Sequence, residues 1–173
     1  NGCDKICAVF QNRLNPCLVK FREICEAKAL GEIKAARGIL TWFRDMDYYN
    51  SGEWRGKDST EGGGVIINQA IHTLDYFSLL PEEVYSVSAV TTNFTLPEIE
   101  VEDTAVVNLK FKNGARGVFF ATNGFSENSN PFFEITFEKG NLKYIDNKLF
   151  LNGEVIEQDS NATVGKDYWG RGH

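Results

Sequence analysis

Three glycine-containing turn signals divide the second half of the chain into short apolar segments, and they constrain the fold more than any other feature. The signals are Asn113-Gly114, Lys139-Gly140 and Asn152-Gly153. Glycine after a polar residue suits the tight turn of a β-hairpin, because that turn requires positive φ angles that glycine adopts at little cost. We therefore predict a meander of antiparallel strands from Glu83 onward.

One strand of this meander shows an apolar and a polar face. Successive side chains of a strand point to opposite faces of the sheet, so alternation reveals which face is buried. The apolar positions are Val101, Ala105, Val107, Leu109 and Phe111, and the polar ones are Glu102, Thr104, Asn108 and Lys110. We expect one face of the sheet to pack on a core.

The first half predicts two helices and two strands. Asn15 suits an N-cap, Pro16 suits the first helical position and Gly31 suits a C-terminal cap, which together predict the first helix. In chain order the predictions are a short buried strand at residues 5–13, this helix, a long strand at 32–45, a loop at 46–64, and a helix at 65–80 that Pro81 stops. Helices followed by a run of strands indicate an α+β domain.

Composition excludes several classes of partner. The 173-residue chain has a formal net charge of −6 and no basic stripe, which argues against nucleic acid. No apolar run approaches the ~20 residues of a membrane span, and the start NGCDK is not a signal peptide. The four cysteines lie within the first 25 residues without a C-x-x-C pair. We predict reduced, packed thiols in a cytoplasmic protein and no metal site, with zinc the alternative.

The segment EGGGVIINQAIHTLDYFSLL, residues 61–80, raises a chemical question. Three glycines at a predicted helix start would let a ligand or another backbone approach, and free N–H groups there favour anions. Helical spacing places Asn68, His72 and Asp75 on one stripe, so His72 could act on a substrate while Asp75 orients its ring. The opposite stripe faces the core, namely Ile67, Ile71, Leu74 and Phe77. The alternatives are a core histidine and close helix–sheet packing at the glycines.

Four segments carry a family resemblance in a fixed order. They are VFQNRLNP, GEIKAARGILTWFRDMDYYNSGEWRG, WRGKDSTEGGGVIINQAIHTLDYFSLL and GKDYWGRGH. Across nearly the whole chain, the sequence resembles the second domain of the glucose–fructose oxidoreductase / inositol dehydrogenase (Gfo/Idh/MocA) family. The FQNR…NP and NQ…H patterns are similar to those of members that act on nucleotide-linked amino sugars or sugar acids.

The resemblance implies an α+β domain with a large, mostly antiparallel sheet, with helices on one face. Residues 1–15 would be the remnant of the last strand of a missing Rossmann domain plus the junction, and residues 16–173 the substrate-binding and oligomerisation domain. The implied activity is hydride transfer between NAD or NADP, held mainly by the missing domain, and a carbohydrate hydroxyl. The chain alone would be inactive, and it would form a homo-oligomer such as a dimer through the sheet face.

The resemblance also implies roles for individual residues. Many members carry an aspartate where Asn68 stands, so the departure shifts acid/base chemistry toward His72. Within the implied site, the catalytic residues are His72 and Asn68, the substrate-binding residues are Asn12, Arg13, Tyr49, Gln69, Tyr168 and His173, and the cofactor-binding residues are Trp54, Arg55, Gly63 and Gly64.

Several alternatives stay open at the level of sequence. Arg13 could instead form an ordinary salt bridge, Trp54 and Arg55 could hold a surface loop, and Tyr49 could pack on a core. Trp42 and Arg44 could line the same cleft. The runner-up function is a non-catalytic module that dimerises through its sheet, and a related reaction such as cofactor-assisted glycoside cleavage or ring reduction is a third.

Overall fold

A computed structural model describes residues 8–159 and shows an α+β fold built on one eight-stranded sheet. The strands are β1 (Ile33–Thr41), β2 (Val84–Thr92), β3 (Thr104–Phe111), β4 (Arg116–Thr122), β5 (Phe132–Phe137), β6 (Gly140–Ile145), β7 (Lys148–Leu151) and β8 (Glu154–Gln158). The helices are α1 (Pro16–Ala27), α2 (Met46–Asn50), α3 (Asp58–Glu61) and α4 (Ile71–Asp75), with 3₁₀ turns at Gln11–Leu14 and Tyr76–Leu79. The predicted fold class and hairpins are confirmed.

The first strand lies in the middle of the sheet. The order is β2-β3-β4-β1-β5-β6-β7-β8, and β1 pairs parallel with β4 and antiparallel with β5. The antiparallel meander predicted from Glu83 onward is therefore interrupted, because β1 lies between β4 and β5 and joins two antiparallel groups. Gly38 permits this placement, since a Cβ there would lie 2.9 Å from both Phe119 and Phe77.

The main core lies between one face of the sheet and the helices. From α1, Leu18, Phe21 and Cys25 are buried at the predicted helical spacing. They pack with the alternating inward residues of the strands, which on β3 are Ala105, Val107, Leu109 and Phe111. Burial of these apolar groups stabilises the fold by about 25 cal/mol per Å² of buried surface. The helices thus cover one face, as the sequence predicted.

The ends of the first helix differ in detail from the prediction. Pro16 occupies the first helical position, but the Asn15 side chain makes no capping hydrogen bond. The helix ends at Ala27 because Lys28, and not Gly31, takes the left-handed conformation that closes it. Gly31 also has a positive φ of 79°, three residues later in the connection to β1.

The predicted helix at residues 65–80 is largely wrong. Residues 65–70 form turns, and regular helix exists only at α4 before the chain tightens into the 3₁₀ turn. The Ala70 N–H donates to the Val65 carbonyl at 2.8 Å, five residues back, which departs from the i to i−4 pattern of an α-helix. Glu102 binds the N–H groups at the start of this segment: its carboxylate accepts from Gly64 (2.8 Å) and Ile66 (3.1 Å), and its carbonyl accepts from Val65 (2.9 Å). Ile67, expected in the core, is 46% exposed.

Two other predictions about the first half also fail. Residues 8–10 have no regular structure and Gln11–Leu14 is a 3₁₀ turn, so the described part of the predicted strand at 5–13 is not a strand. The segment at 46–64, predicted as a loop, contains the short helices α2 and α3. Asp45 begins α2 by accepting a hydrogen bond from the Tyr48 N–H at 2.9 Å.

Candidate functional site

A cavity of about 610 Å³ opens beside the carboxyl end of β1. Its volume falls in the range of small-molecule sites in proteins. Polar and aromatic side chains dominate its wall, which consists of Asn12, Asn15, Leu40, Trp42, Arg44, Tyr48, Arg55, Asn68, Gln69, His72, Thr73, Tyr76, Asn128, Ser129, Asn130, Pro131, Tyr144 and Asn147. The structure therefore brings five of the predicted site residues to one cavity, namely Asn12, Arg55, Asn68, Gln69 and His72.

His72 projects from α4 to the wall of this cavity. Its Nδ1 is buried without a hydrogen-bond partner, and its ring meets the Phe10 ring edge-on at 6.0 Å. Burial lowers the pKa of the imidazole below 6.5, and the negative charge of Asp75 offsets part of that effect. The lowered pKa favours the neutral imidazole, which is the form that can accept a proton from a bound hydroxyl group.

Asp75 does not orient His72, which corrects the expected pairing. The Asp75 carboxylate accepts from Arg13 Nε at 2.7 Å and from Ser78 Oγ at 3.1 Å. Arg13 in turn lies outside the cavity wall and stacks over Phe10 at 5.3 Å. Within residues 8–159, Arg13 thus forms a salt bridge with Asp75, which was the alternative to a substrate contact. Its predicted contact with substrate stays a prediction.

The orientation of the Asn68 amide is fixed by a carboxylate. Asn68 Nδ2 donates to Glu61 Oε1, and the other oxygen of Glu61 accepts from the Gly56 N–H at 2.5 Å. Because a carboxylate only accepts hydrogen bonds, the amide must turn its NH₂ group toward Glu61. The Asn68 Oδ1 is then the atom that can accept a hydrogen bond from a molecule in the cavity.

Gln69 is held in the same way by a buried network. Its Nε2 donates to the Tyr48 hydroxyl at 2.9 Å, and its Oε1 accepts from Asn123 Nδ2 at 3.1 Å. Asn123 is fully buried and also donates to the Tyr49 hydroxyl at 3.1 Å. With both ends of its amide engaged, Gln69 positions Tyr48 at the cavity wall.

Tyr49 does not line the cavity, and its predicted contact with substrate stays a prediction that this position does not support. The side chain is 4% exposed and packs in a second core with Leu96, Ile99 and Val101. Burial raises the pKa of its hydroxyl to about 12. The neighbouring Tyr48 lines the cavity instead, because adjacent residues of the short helix α2 face different directions.

Two arginines meet on the ring of Tyr48. The Arg55 guanidinium lies 4.2 Å from the Tyr48 ring centroid and 4.3 Å from that of Trp54. Arg44 lies 4.8 Å from the centroids of both Tyr48 and Trp42. Trp54 is 45% exposed and is not part of the cavity wall, so its predicted cofactor contact stays a prediction. Trp42 and Arg44 line the cavity, which is one of the alternatives that the sequence left open.

The remaining predicted residues have varied placements. Asn12 donates to the Tyr76 hydroxyl at 3.5 Å, while its buried Oδ1 has no partner among residues 8–159.

At Gly64 an added Cβ would lie 1.8 Å from the Glu102 carbonyl oxygen, so the close approach of the Glu102 backbone requires glycine there. Because Glu102 engages that N–H group, the expected open helix start is absent, and cofactor binding by Gly63 and Gly64 stays a prediction. Tyr168 and His173 lie outside the described residues.

One wall of the cavity was missed by sequence reasoning. It is formed by residues 128–131, between β4 and β5, and hydrogen bonds fix it to the end of β1. Asn128 Oδ1 accepts from the Phe43 N–H at 2.9 Å, and the Ser129 carbonyl accepts from Trp42 Nε1 at 2.9 Å. The polar run SENSNP indicates only a loop. Its neighbour in space, Phe43 at the end of β1, is 85 residues away in sequence, so no local pattern shows the contact.

Neither a metal cluster nor a membrane helix is found in the part of the chain that the structure describes. Residues 8–159 contain no group of three or more His, Cys, Asp or Glu side chains placed to hold a metal ion. Within the same residues, no helix has the length and apolarity needed to cross a membrane.

Comparison with known proteins identifies the family. The GFO/IDH/MocA C-terminal domain family matches residues 18–143 of this chain. No curated protein sequence matches it. The match extends over well more than half of the chain, so the chain belongs to the GFO/IDH/MocA family, as the sequence resemblance predicted.

Solved structures show the same fold. The WlbA dehydrogenase from Bordetella pertussis, in complex with NADH and UDP-GlcNAcA, is 30% identical with a TM-score of 0.74, over 89% of this chain and 47% of that chain. The WlbA dehydrogenase from Chromobacterium violaceum, with the same ligands, is 29% identical with a TM-score of 0.75, over 95% and 48%. Levoglucosan dehydrogenase with NADH and levoglucosan is 25% identical with a TM-score of 0.71, over 83% and 42%. This chain spans less than half of each relative.

Proposed function

We propose that this chain is the substrate-binding half of an oxidoreductase that transfers hydride between NAD or NADP and a carbohydrate hydroxyl. One observation carries the proposal: His72 stands in a polar cavity with a lowered pKa and with no hydrogen bond from either ring nitrogen to residues 8–159. A neutral, unengaged imidazole beside fixed amides suits proton transfer to and from a sugar hydroxyl.

The residues of the chain divide the work in this mechanism. His72 accepts the hydroxyl proton as the carbon–oxygen bond becomes a carbonyl. A nicotinamide cofactor, when bound, would supply the acceptor for the hydride that leaves the same carbon. Asn68 accepts a hydrogen bond from a neighbouring hydroxyl through Oδ1, because Glu61 holds its NH₂ group. In the reverse direction, His72 returns the proton to the carbonyl oxygen.

The relatives support a carbohydrate as the substrate. The two WlbA dehydrogenases were solved with NADH and UDP-GlcNAcA, and another relative with NADH and levoglucosan. A nucleotide-linked sugar is the finer proposal, because the two relatives of highest identity among these three hold one. The cavity of about 610 Å³ has room for a sugar ring with a substituent.

The proposal includes a division of labour between domains. Residues 1–15 are assigned to the end of a nucleotide-binding Rossmann domain and its junction, with no strand in the described residues 8–14, and residues 16–173 to the substrate and assembly domain. Support comes from the lengths of the relatives, each about twice that of this chain, and from the nicotinamide cofactor that each of the three holds. On this proposal the chain alone does not turn over substrate.

The open face of the sheet supports assembly into a homo-oligomer. Strand register places an apolar row across β2, β3, β4, β1 and β5, formed by Val90, Val106, Phe120, Ile39 and Phe132. Val90 is 67% exposed and Val106 is 44% exposed. A second copy of the face would remove this row from water. The same face favours the second candidate function, a non-catalytic module that dimerises through its sheet.

Substitution of His72 tests the proposed function. In the full-length protein with its nicotinamide cofactor, we expect His72→Asn to lower kcat about 10²–10⁴-fold, because proton transfer is lost. Cofactor affinity should not change. The acid limb of the pH–rate profile for alcohol oxidation should lie below pH 6.5 in the wild type, where His72 becomes protonated, and should vanish in the variant.

Asn50→Ala, at the exposed end of α2, is the matched control and should keep full turnover. Turnover of His72→Asn at the wild-type rate would refute the acid/base role. Absence of turnover in the wild type with every carbohydrate tested would favour the non-catalytic module.

A further inference from the structure

Within residues 8–159, the wall of the cavity carries two positive charges and no negative one. Arg44 and Arg55 both line it, while none of its other residues is Asp or Glu. This contrasts with the chain as a whole, whose formal net charge is −6. Among residues 8–159, carboxylates pair with Arg13, Arg22 and Arg37, but no salt bridge involves Arg44 or Arg55. The two half-buried guanidinium groups therefore have no carboxylate partner among the residues that the structure describes.

Aromatic contacts and hydrogen bonds hold both groups in place. Arg44 lies against Trp42 and Tyr48, and Arg55 lies against Tyr48 and Trp54. Arg55 Nη1 also donates to the Tyr48 hydroxyl, the same atom that Gln69 engages. Stacked guanidinium groups keep their N–H edges free for planar partners. The two arginines are thus ordered before any ligand arrives.

Part of the hydrogen-bonding capacity of Arg44 is unused. Its Nη1 donates to the Asn128 side chain at 3.1 Å and to the Phe43 carbonyl, but its buried Nε has no partner in the described chain. That Nε has almost no accessible surface, so a ligand would reach Arg44 at Nη2, which makes no hydrogen bond to residues 8–159. A neutral hydroxyl could satisfy the donor but would leave the charge unpaired.

We propose that Arg44 and Arg55, arranged around Tyr48, form an anion-binding subsite that takes a carboxylate or phosphate group of the substrate. The subsite rests on the proposed function, since it places the anionic part of a carbohydrate in the cavity that contains His72. Carboxylate and phosphate share the geometry that a guanidinium fork binds through two parallel hydrogen bonds. The substrate class is therefore an acidic or phosphate-linked sugar and not a neutral free sugar.

Calorimetric binding to the full-length protein tests the subsite without any turnover. The probes are UDP-GlcNAcA, which carries both a carboxylate and a diphosphate, and UDP-GlcNAc, which lacks the carboxylate. We expect Arg44→Gln and Arg55→Gln each to weaken UDP-GlcNAcA binding about 10-fold or more. Arg44→Lys, which keeps the charge without the fork, should lose less. Arg116→Gln, an exposed arginine at the start of β4 outside the cavity, is the control and should bind normally.

The two probes distinguish the sources of the anion. An equal loss for both probes assigns the subsite to the diphosphate, and a loss for UDP-GlcNAcA alone assigns it to the carboxylate. Wild-type affinity for both probes in the two Gln variants, with unchanged melting temperatures, would overturn the proposal. Arginine-dependent binding without any hydride transfer would refute the proposed function while leaving the subsite intact.

Discussion

At the scale of single residues, the site depends on amides whose polarity is set by their neighbours. Glu61 turns the NH₂ group of Asn68 away from the cavity, and Asn123 fixes the carbonyl end of Gln69. A sequence shows that Asn68 cannot titrate, but not which of its atoms faces a ligand. Many family members carry an aspartate where Asn68 stands; here the amide at that position donates to the carboxylate of Glu61, seven positions earlier in the chain.

This arrangement predicts the result of restoring the carboxylate. Asn68→Asp would place two carboxylates in hydrogen-bond contact, so at pH 7 the free energy of unfolding should fall by about 1–3 kcal/mol. The loss should shrink as pH falls and one carboxyl group becomes protonated. Denaturant unfolding at pH 7 and pH 5 provides the measurement.

The double variant Asn68→Asp with Glu61→Gln is the matched control. It restores a hydrogen bond between an amide and a carboxylate, with the roles exchanged, and should recover most of the lost stability. If Asn68→Asp is as stable as the wild type at pH 7, Glu61 does not hold the amide.

At the scale of elements, the backbone hydrogen bonds after the glycines depart from the α-helical pattern. The Ala70 N–H donates to the Val65 carbonyl, five residues back, while Glu102 binds the N–H groups of Gly64, Val65 and Ile66, which would be unpaired at any helix start. Apolar periodicity predicted a helix from Val65, since it does not show which carbonyl each N–H group binds. Within the predicted helix at 65–80, only α4 and the 3₁₀ turn after it are helical.

Substitution of the glycines separates packing from ligand binding. Gly64→Ala should lower the free energy of unfolding by roughly 3 kcal/mol or more, because its Cβ would collide with the Glu102 backbone. Gly62→Ala should cost only about 1 kcal/mol, since Gly62 has a positive φ of 78° but open space around it. Equal losses in chemical denaturation would contradict the proposed close approach of Glu102.

At the scale of the whole molecule, the sheet has one covered face and one open face. The helices cover the inward residues of the strands, while Val106 of β3 and Val118 of β4 are 44% and 47% exposed on the other side. Register alignment turns isolated apolar residues of five strands into one continuous row. Exposed apolar surface of this kind indicates a protein interface.

A charge within this row tests the interface. Val106→Glu in the full-length protein should convert the oligomer to a monomer, because burying an unpaired carboxylate costs several kcal/mol. Light scattering at micromolar concentration measures the mass. Ile67→Glu, at an equally exposed position outside the sheet, is the control and should leave the mass unchanged. A monomeric wild type would contradict assembly through the sheet.

The sequence by itself determined the strands, their hairpins, the first helix and the family, because alternation, turn residues and local motifs act between near neighbours in the chain. It also selected His72, Asn68 and Gln69, which lie close together within one segment. Only the tertiary structure decided that β1 lies at the centre of the sheet, that Tyr48 and not Tyr49 faces the cavity, and that Arg13 binds Asp75. Those outcomes depend on hydrogen bonds and packing between residues far apart in sequence, whose partners no local pattern records.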